Sequence, residues 1–131
     1  MYMIKRIIVD MITMKTRDPD TLLPLKPVVF QVLLSLLDGE RHGYAIVQDI
    51  AERSSARLQI EPGNLYRTLR FMLDEGLIEE SERRPAPEAD DERRRYYKAT
   101  RFGQRVAAAE AARLVELVAD AKARNLLKGR S

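Results

Sequence analysis

The chain has 131 residues, with 23 basic and 20 acidic side chains, a net charge of +3, one histidine and no cysteine. This length fits a single domain, and a hydrophobic fraction of 45% is enough for a core. Without cysteine there is no disulfide, thiol nucleophile or thiolate zinc site, and one histidine supports neither a zinc site nor a catalytic triad. We therefore expect no enzyme, no metal and no cofactor, and a reducing, cytoplasmic location.

The first 24 residues differ in composition from the rest of the chain. Four of the five methionines lie within residues 1–14. The apolar run of residues 7–9 is followed by Asp10, and it is too short for a membrane span or a signal-peptide core. We assign residues 1–24 to an N-terminal extension, either flexible or ordered, and expect no association with a membrane.

Three helices are predicted next. The first begins at Pro27, where apolar residues start to recur at helical spacing, and it ends at Asp38-Gly39. The second begins near Gly43. The third begins at Pro62, because proline suits the first position of a helix, and Gly76 ends it.

The pattern then changes to that of a hairpin followed by a long helix. Residues 77–84 and 95–99 predict two short strands, separated by a charged tip that contains two prolines. Thr100 is suited to cap a last helix, which extends from Arg101 to about Leu127 over roughly 40 Å. This helix carries an apolar stripe that we expect a second copy of the chain to bury. The stripe consists of Leu114, Leu117, Val118 and Ala121.

These elements predict a mainly α fold with a small β-hairpin. Residues 25–100 form a winged helix-turn-helix domain in this interpretation. Residues 101–131 form a C-terminal dimerisation helix and tail. The hairpin is the wing.

Several short motifs occur in a characteristic order between residues 25 and 118. They are Gly43-Tyr44, Pro62-Gly63-Asn64-Leu65-Tyr66, Leu69, Gly76-Leu77-Ile78 and the segment RYYKATRFG at residues 95–103. In this order and spacing they resemble the PadR-like family of transcriptional regulators. The resemblance implies a transcriptional regulator that binds double-stranded DNA, and we expect a repressor. The apolar stripe of the last helix predicts a homodimer, whose two-fold symmetry in turn predicts a palindromic operator. The resemblance also implies a response to a small hydrophobic or aromatic effector, which would lie between the core and the last helix.

The third helix carries the candidate DNA-reading face. One of its faces is apolar, and the opposite face contains Gly63, Asn64, Arg67, Arg70 and Asp74. Glycine permits close approach of a backbone, the helix N-terminus attracts phosphate, and asparagine and arginine suit base edges or phosphates. The alternative is an ordinary solvated face. Tyr66 and Tyr44 are either DNA contacts, as the resemblance implies for Tyr66, or packed aromatics. His42 is expected to be a helix-start residue.

The wing supplies further basic residues. Arg83, Arg84, Arg93, Arg94 and Arg95 flank the tip and are suited to contact phosphates. The tip itself, residues 88–92, is acidic and opposes deep insertion into DNA. Glu61, where the family commonly has a small hydroxyl residue, is expected to cap the third helix. The acidic tip and Glu61 favour the alternative function, a winged-helix protein–protein adaptor without DNA binding, whereas the basic run at residues 93–105 opposes it.

Overall fold

The computed structural model describes residues 17–82 and 95–127. This part of the chain contains a 3-10 helix, four α-helices and three short strands. In chain order they are the 3-10 helix Pro19–Leu22, α1 (Pro27–Leu37), β1 (Arg41–His42), α2 (Gly43–Arg53), α3 (Pro62–Asp74), β2 (Ile78–Glu80), β3 (Tyr96–Ala99) and α4 (Arg101–Ala123). The predicted fold class, mainly helical with a small sheet, is confirmed.

The helices begin at residues that favour a helix start, either a proline in the first turn or a side chain that caps the first turn. Pro27 and Pro62 occupy the first turns of α1 and α3. The imidazole of His42 accepts a hydrogen bond from the Ala45 N–H at 3.1 Å and caps α2, and the Thr100 hydroxyl caps α4. The expectation for Glu61 was wrong, because its side chain makes no capping hydrogen bond at the start of α3.

The sheet is antiparallel and has one strand more than the predicted hairpin. Its order is β1-β3-β2, with Arg41 opposite Tyr97 and Ile78 opposite Ala99. With two residues, β1 is too short to show the alternating pattern by which a strand is recognised in a sequence. Pairing with β3 therefore joins the start of α2 to the base of the wing.

The core lies between the helices and the inner face of the sheet. The four α-helices and strands β2 and β3 contribute apolar side chains that are almost fully buried, and truncating a large one to alanine costs about 2–5 kcal/mol. The most deeply buried are Val32, Leu33, Ile46, Ile50, Leu69, Met72, Leu77, Ile78 and Val106. This shared core holds α2 and α3 at a constant relative position.

The first turn of α4 approaches the turn between α3 and β2 very closely. A Cβ atom on Gly103 would lie 2.0 Å from the carbonyl oxygen of Leu77, so no residue other than glycine fits there. The Thr100 hydroxyl donates to the Gly76 carbonyl at 2.6 Å in the same contact. At its other end α4 stops at Ala123 rather than at the predicted Leu127, and Asn125 adopts a left-handed φ of 63°.

Residues 17–24 pack against the domain. Leu22 and Leu23 contact the core, and the guanidinium of Arg17 forms an ion pair with Glu75 at 2.5 Å. The Leu25 N–H donates to the carboxylate of Glu110, which is only 2% exposed. Residues 1–16 of the predicted extension lie outside the described residues.

Candidate nucleic-acid interface

The outer face of α3 carries exposed polar and charged residues. Gly63, Asn64, Tyr66, Arg67 and Arg70 are all exposed. Within the described residues, the guanidinium groups of Arg67 and Arg70 make no ion pair and no hydrogen bond. Because these two charges are not neutralised locally, they remain available to an anionic partner.

The N-terminal ends of α2 and α3 lie against each other. A Cβ atom on the buried Gly43 would be 3.2 Å from Cδ2 of Leu65, which shows how closely the two first turns pack. A helix N-terminus carries a partial positive charge and unpaired N–H groups. The side chain of Glu61 does not cap α3, so the first turn of α3 keeps N–H groups that a phosphate oxygen can accept from.

An aromatic cluster at the start of α2 orients Tyr44. The rings of His42 and Tyr44 are stacked at 6.4 Å, and His42 meets Tyr96 of β3 edge-on at 5.4 Å. Tyr44 is 67% exposed, and its hydroxyl accepts a hydrogen bond from the Gln48 amide at 3.2 Å. The expected role of His42 as a helix-start residue is confirmed by its cap, and Tyr44 projects into solvent beside the start of α3.

At the base of the wing, basic residues are paired with carboxylates. The Arg95 guanidinium lies 3.4 Å from Glu80, and the Lys98 ammonium lies 3.5 Å from Glu79. Burial, followed by the nearby charge of Glu80, raises the pKa of the Tyr97 hydroxyl. Of the predicted wing residues only Arg95 is described, since Arg83, Arg84, Arg93 and Arg94 lie outside the described residues.

A polar network behind this surface holds α1, β1 and α2 together, and the sequence did not predict it. The buried Ser35 hydroxyl donates to Asp49 at 2.8 Å and accepts from Arg53 at 2.9 Å. Arg41 of β1 donates to the Ser35 carbonyl at 2.9 Å. Burial opposes ionisation of Asp49, but hydrogen bonds from Arg53 and Ser35 and the charges of Arg53 and Arg41 outweigh it and lower the pKa of Asp49. The only signal in the sequence was the i,i+4 spacing of Asp49 and Arg53.

The predicted dimerisation residues lie on the second half of α4. Leu117 and Val118 are 49% and 46% exposed, while Leu114 and Ala121 are half-buried. Val115 adds a further exposed apolar side chain to this part of the helix. The face is thus apolar and open to solvent in the single chain.

The described residues contain neither a cluster of potential metal ligands nor a helix that could span a membrane. Nowhere among them do three or more histidine, aspartate or glutamate side chains come together as potential metal ligands. In the same part of the chain, no helix combines the length and the apolar character that a membrane span requires.

A helix with an exposed polar face, held by two further helices and flanked by a small antiparallel sheet, defines a winged helix-turn-helix domain. The family model described as "Transcriptional regulator PadR-like family" matches residues 32–109. The match covers more than half of the chain, so the chain belongs to the PadR-like family of transcriptional regulators. The predicted family is confirmed. No curated protein sequence gives a significant match.

Solved structures of similar fold include several regulators. A PadR-like transcriptional regulator from Bacillus cereus has a TM-score of 0.62 at 20% identity, over 79% of this chain and 93% of that one. A transcriptional regulator from Clostridium thermocellum has a TM-score of 0.60 at 21% identity, over 77% and 92%. Bacillus subtilis PadR in complex with operator DNA has a TM-score of 0.56 at 21% identity, over 66% of this chain and 47% of that one.

Proposed function

We propose that this protein is a cytoplasmic transcriptional repressor that binds a specific operator in double-stranded DNA. The observation that carries the proposal is the outer face of α3, where Arg67 and Arg70 are exposed and unpaired among the described residues. Family membership supports it, as does the operator complex of the similarly folded Bacillus subtilis PadR.

In this mechanism α3 enters the major groove, which is wide enough for an α-helix. Arg70 presents donors to a base edge, Asn64 presents its amide to a base edge or a phosphate, and Gly63 lets the helix backbone come close to the DNA. The hydroxyl groups of Tyr44 and Tyr66 donate to phosphates. Phosphate contacts set the orientation of the protein, whereas base contacts provide the specificity.

The wing arginines complete the proposed contact with the flanking backbone. Arg95 stands at the base of β3 beside Glu80, and we assign phosphate contacts to it and to the four wing arginines outside the described residues. Because Arg95 and Lys98 are paired with glutamates, the positive charge at the base of the wing is reduced. We therefore expect these residues to orient the wing on the DNA backbone and to add little to the attraction between protein and DNA.

We propose further that two copies associate through α4. Burial of Leu114, Leu117, Val118 and Ala121 would remove an exposed apolar face from water. Two-fold symmetry then requires a palindromic operator, with half-sites about one helical turn or roughly 34–36 Å apart. A small hydrophobic or aromatic effector, bound between the core and α4, would release the DNA by changing the relative position of the two α3 helices.

Selection of bound sequences from a random pool of duplex DNA tests this function. We expect an enriched palindrome and an affinity for it that falls steeply as salt is raised. Replacing both Arg67 and Arg70 with alanine should abolish the enrichment. As a control, replacing the exposed Arg124 at the end of α4 should leave it unchanged.

Absent or salt-insensitive binding would overturn the proposal in favour of the protein–protein adaptor. Two observations give that second candidate its support. The glutamates of β2 neutralise the described cations of β3, and the tip of the wing is acidic in sequence.

A further inference from the structure

A groove lies between the N-terminus of α1 and one flank of α3. Lys26 and Val28 line it on the α1 side, and Asn64, Arg67, Thr68 and Phe71 line it on the α3 side. Its volume of about 250 Å³ is below the range of pockets that enclose small molecules. The groove is therefore too small to enclose a typical small molecule, and a partner that it binds must extend beyond it.

The charge of the groove is positive. Lys26 and Arg67 are exposed, neither makes an ion pair with another described residue, and no carboxylate is part of the lining. In addition, Lys26 is the N-cap residue of α1, and its side chain makes no capping hydrogen bond. The positive end of the helix dipole thus faces the same space as the two cations.

Thr68 adds a hydroxyl group to the lining of the groove. Its side chain lines the groove although the residue is only 7% exposed. Its hydroxyl makes no hydrogen bond to any of residues 17–82 or 95–127. A hydroxyl held in this position can donate to an anionic oxygen, which accepts strongly from such donors.

The remaining wall of the groove is apolar. Phe71 is 44% exposed on a helix face that is otherwise polar, and Val28 is half-buried beside it. Because a nucleic-acid backbone alternates anionic phosphates with sugars that have apolar faces, it matches a groove that combines cations with an exposed phenyl ring.

We propose, on the basis of the proposed function, that this groove binds the sugar–phosphate backbone of the DNA strand on the α1 side of the major groove. A helix in the major groove lies between two backbones. The flank of α3 that carries Asn64 and Thr68 faces α1, so it lies toward one of these two backbones. Lys26, Thr68 and Arg67 thereby hold one phosphate, and Phe71 packs against the adjacent deoxyribose.

Two variants test the groove. Lys26→Ala removes one charge, and Thr68→Val removes only the hydroxyl because valine has nearly the same shape. Fluorescence anisotropy would measure binding to the selected duplex and to a random-sequence duplex of equal length, from about 0.05 to 0.3 M salt. Arg124→Ala is the charge control, and the thermal midpoint of each variant checks folding.

For Lys26→Ala we expect both duplexes to bind about five- to tenfold more weakly at 0.1 M salt, with the slope of log affinity against log salt reduced by about 1. Thr68→Val should bind about threefold more weakly, without a change in slope and without loss of thermal stability. Arg124→Ala should match the wild type.

The outcomes separate this inference from the function on which it rests. If the wild type binds DNA and Lys26→Ala keeps its affinity and slope, the groove is not a phosphate site and the repressor proposal stands. If Thr68→Val binds both duplexes as tightly as the wild type, the Thr68 hydroxyl does not contact the DNA. If the wild type binds neither duplex, both proposals fall.

Discussion

Individual residues on α3 have different neighbours, and these neighbours give them different roles in DNA binding. Arg67 shares a groove with Lys26 and Thr68. Arg70 does not line that groove and extends from the outer face alone. We therefore assign Arg67 to the backbone and Arg70 to a base edge, although the sequence allowed either contact for both.

Replacement of these arginines should separate affinity from specificity. Arg70→Ala should lower operator affinity by about 1–3 kcal/mol and relax the preference at one base pair, because a bidentate contact to a base is lost. Arg67→Ala should weaken binding to all sequences alike and reduce the salt slope. Binding to a set of single-base operator variants measures both effects, and equal specificity in wild type and Arg70→Ala would contradict the assignment.

Two glycines should respond in opposite ways to a single methyl group. Gly103→Ala places a Cβ 2.0 Å from the Leu77 carbonyl oxygen, so α4 must shift, and we expect a loss of about 3 kcal/mol of stability or more. Gly63 has open space where its Cβ would be. Gly63→Ala should keep or raise stability, by up to about 1 kcal/mol, while it weakens DNA binding.

Chemical denaturation with circular dichroism would measure the first effect and anisotropy the second. A Gly103→Ala protein as stable as the wild type would show that the contact between α4 and the turn after α3 has room for a Cβ atom.

At the scale of elements, a buried carboxylate joins α4 to the segment before α1. Glu110 accepts hydrogen bonds from the Arg113 guanidinium and from the Leu25 N–H. The hydrogen bond from Arg113 is the main reason why the pKa of Glu110 lies below its ordinary value of 4.5, and the bond from Leu25 lowers it further. Burial acts in the opposite direction but is outweighed. The ionised form is therefore favoured in the folded protein.

This contact makes stability depend on pH in a defined direction. Since the pKa of Glu110 is lower in the folded than in the unfolded chain, its contribution is present above about pH 4.5 and is lost as pH falls through the folded pKa. Glu110→Gln should be less stable at neutral pH, and its stability should fall less between pH 5 and 3. Urea unfolding at several pH values measures this, and parallel pH curves for the two proteins would rule out the linkage.

In the whole molecule, the second half of α4 is the region where a single chain leaves an apolar face exposed to water. Leu117→Glu should give monomers, because a charge would have to be buried in the proposed interface. Ala112→Glu, on the opposite side of α4 and exposed, is the matched control and should remain dimeric. Sedimentation velocity distinguishes the two, and a Leu117→Glu dimer would locate the interface elsewhere.

The starts of the helices and the faces that form the core could be predicted from the amino-acid sequence. Pro27, Pro62 and Thr100 act within one helical turn of their own position, so local rules are sufficient to predict them. The apolar face of α3 and the family motifs could also be predicted, because they too depend only on residues that are close together in the sequence. These features established the winged-helix class and its family without coordinates.

Contacts between segments that are distant in the chain could not be predicted in this way, because they depend on how the elements pack. The two residues of β1 become a strand because β3 lies beside them, and Ser35 is buried because Asp49 and Arg53 satisfy its hydroxyl. Lys26 joined the candidate interface because α1 begins next to α3. Net charge and hydrophobic fraction describe the chain as a whole, whereas a binding surface depends on which unpaired charges the fold places side by side.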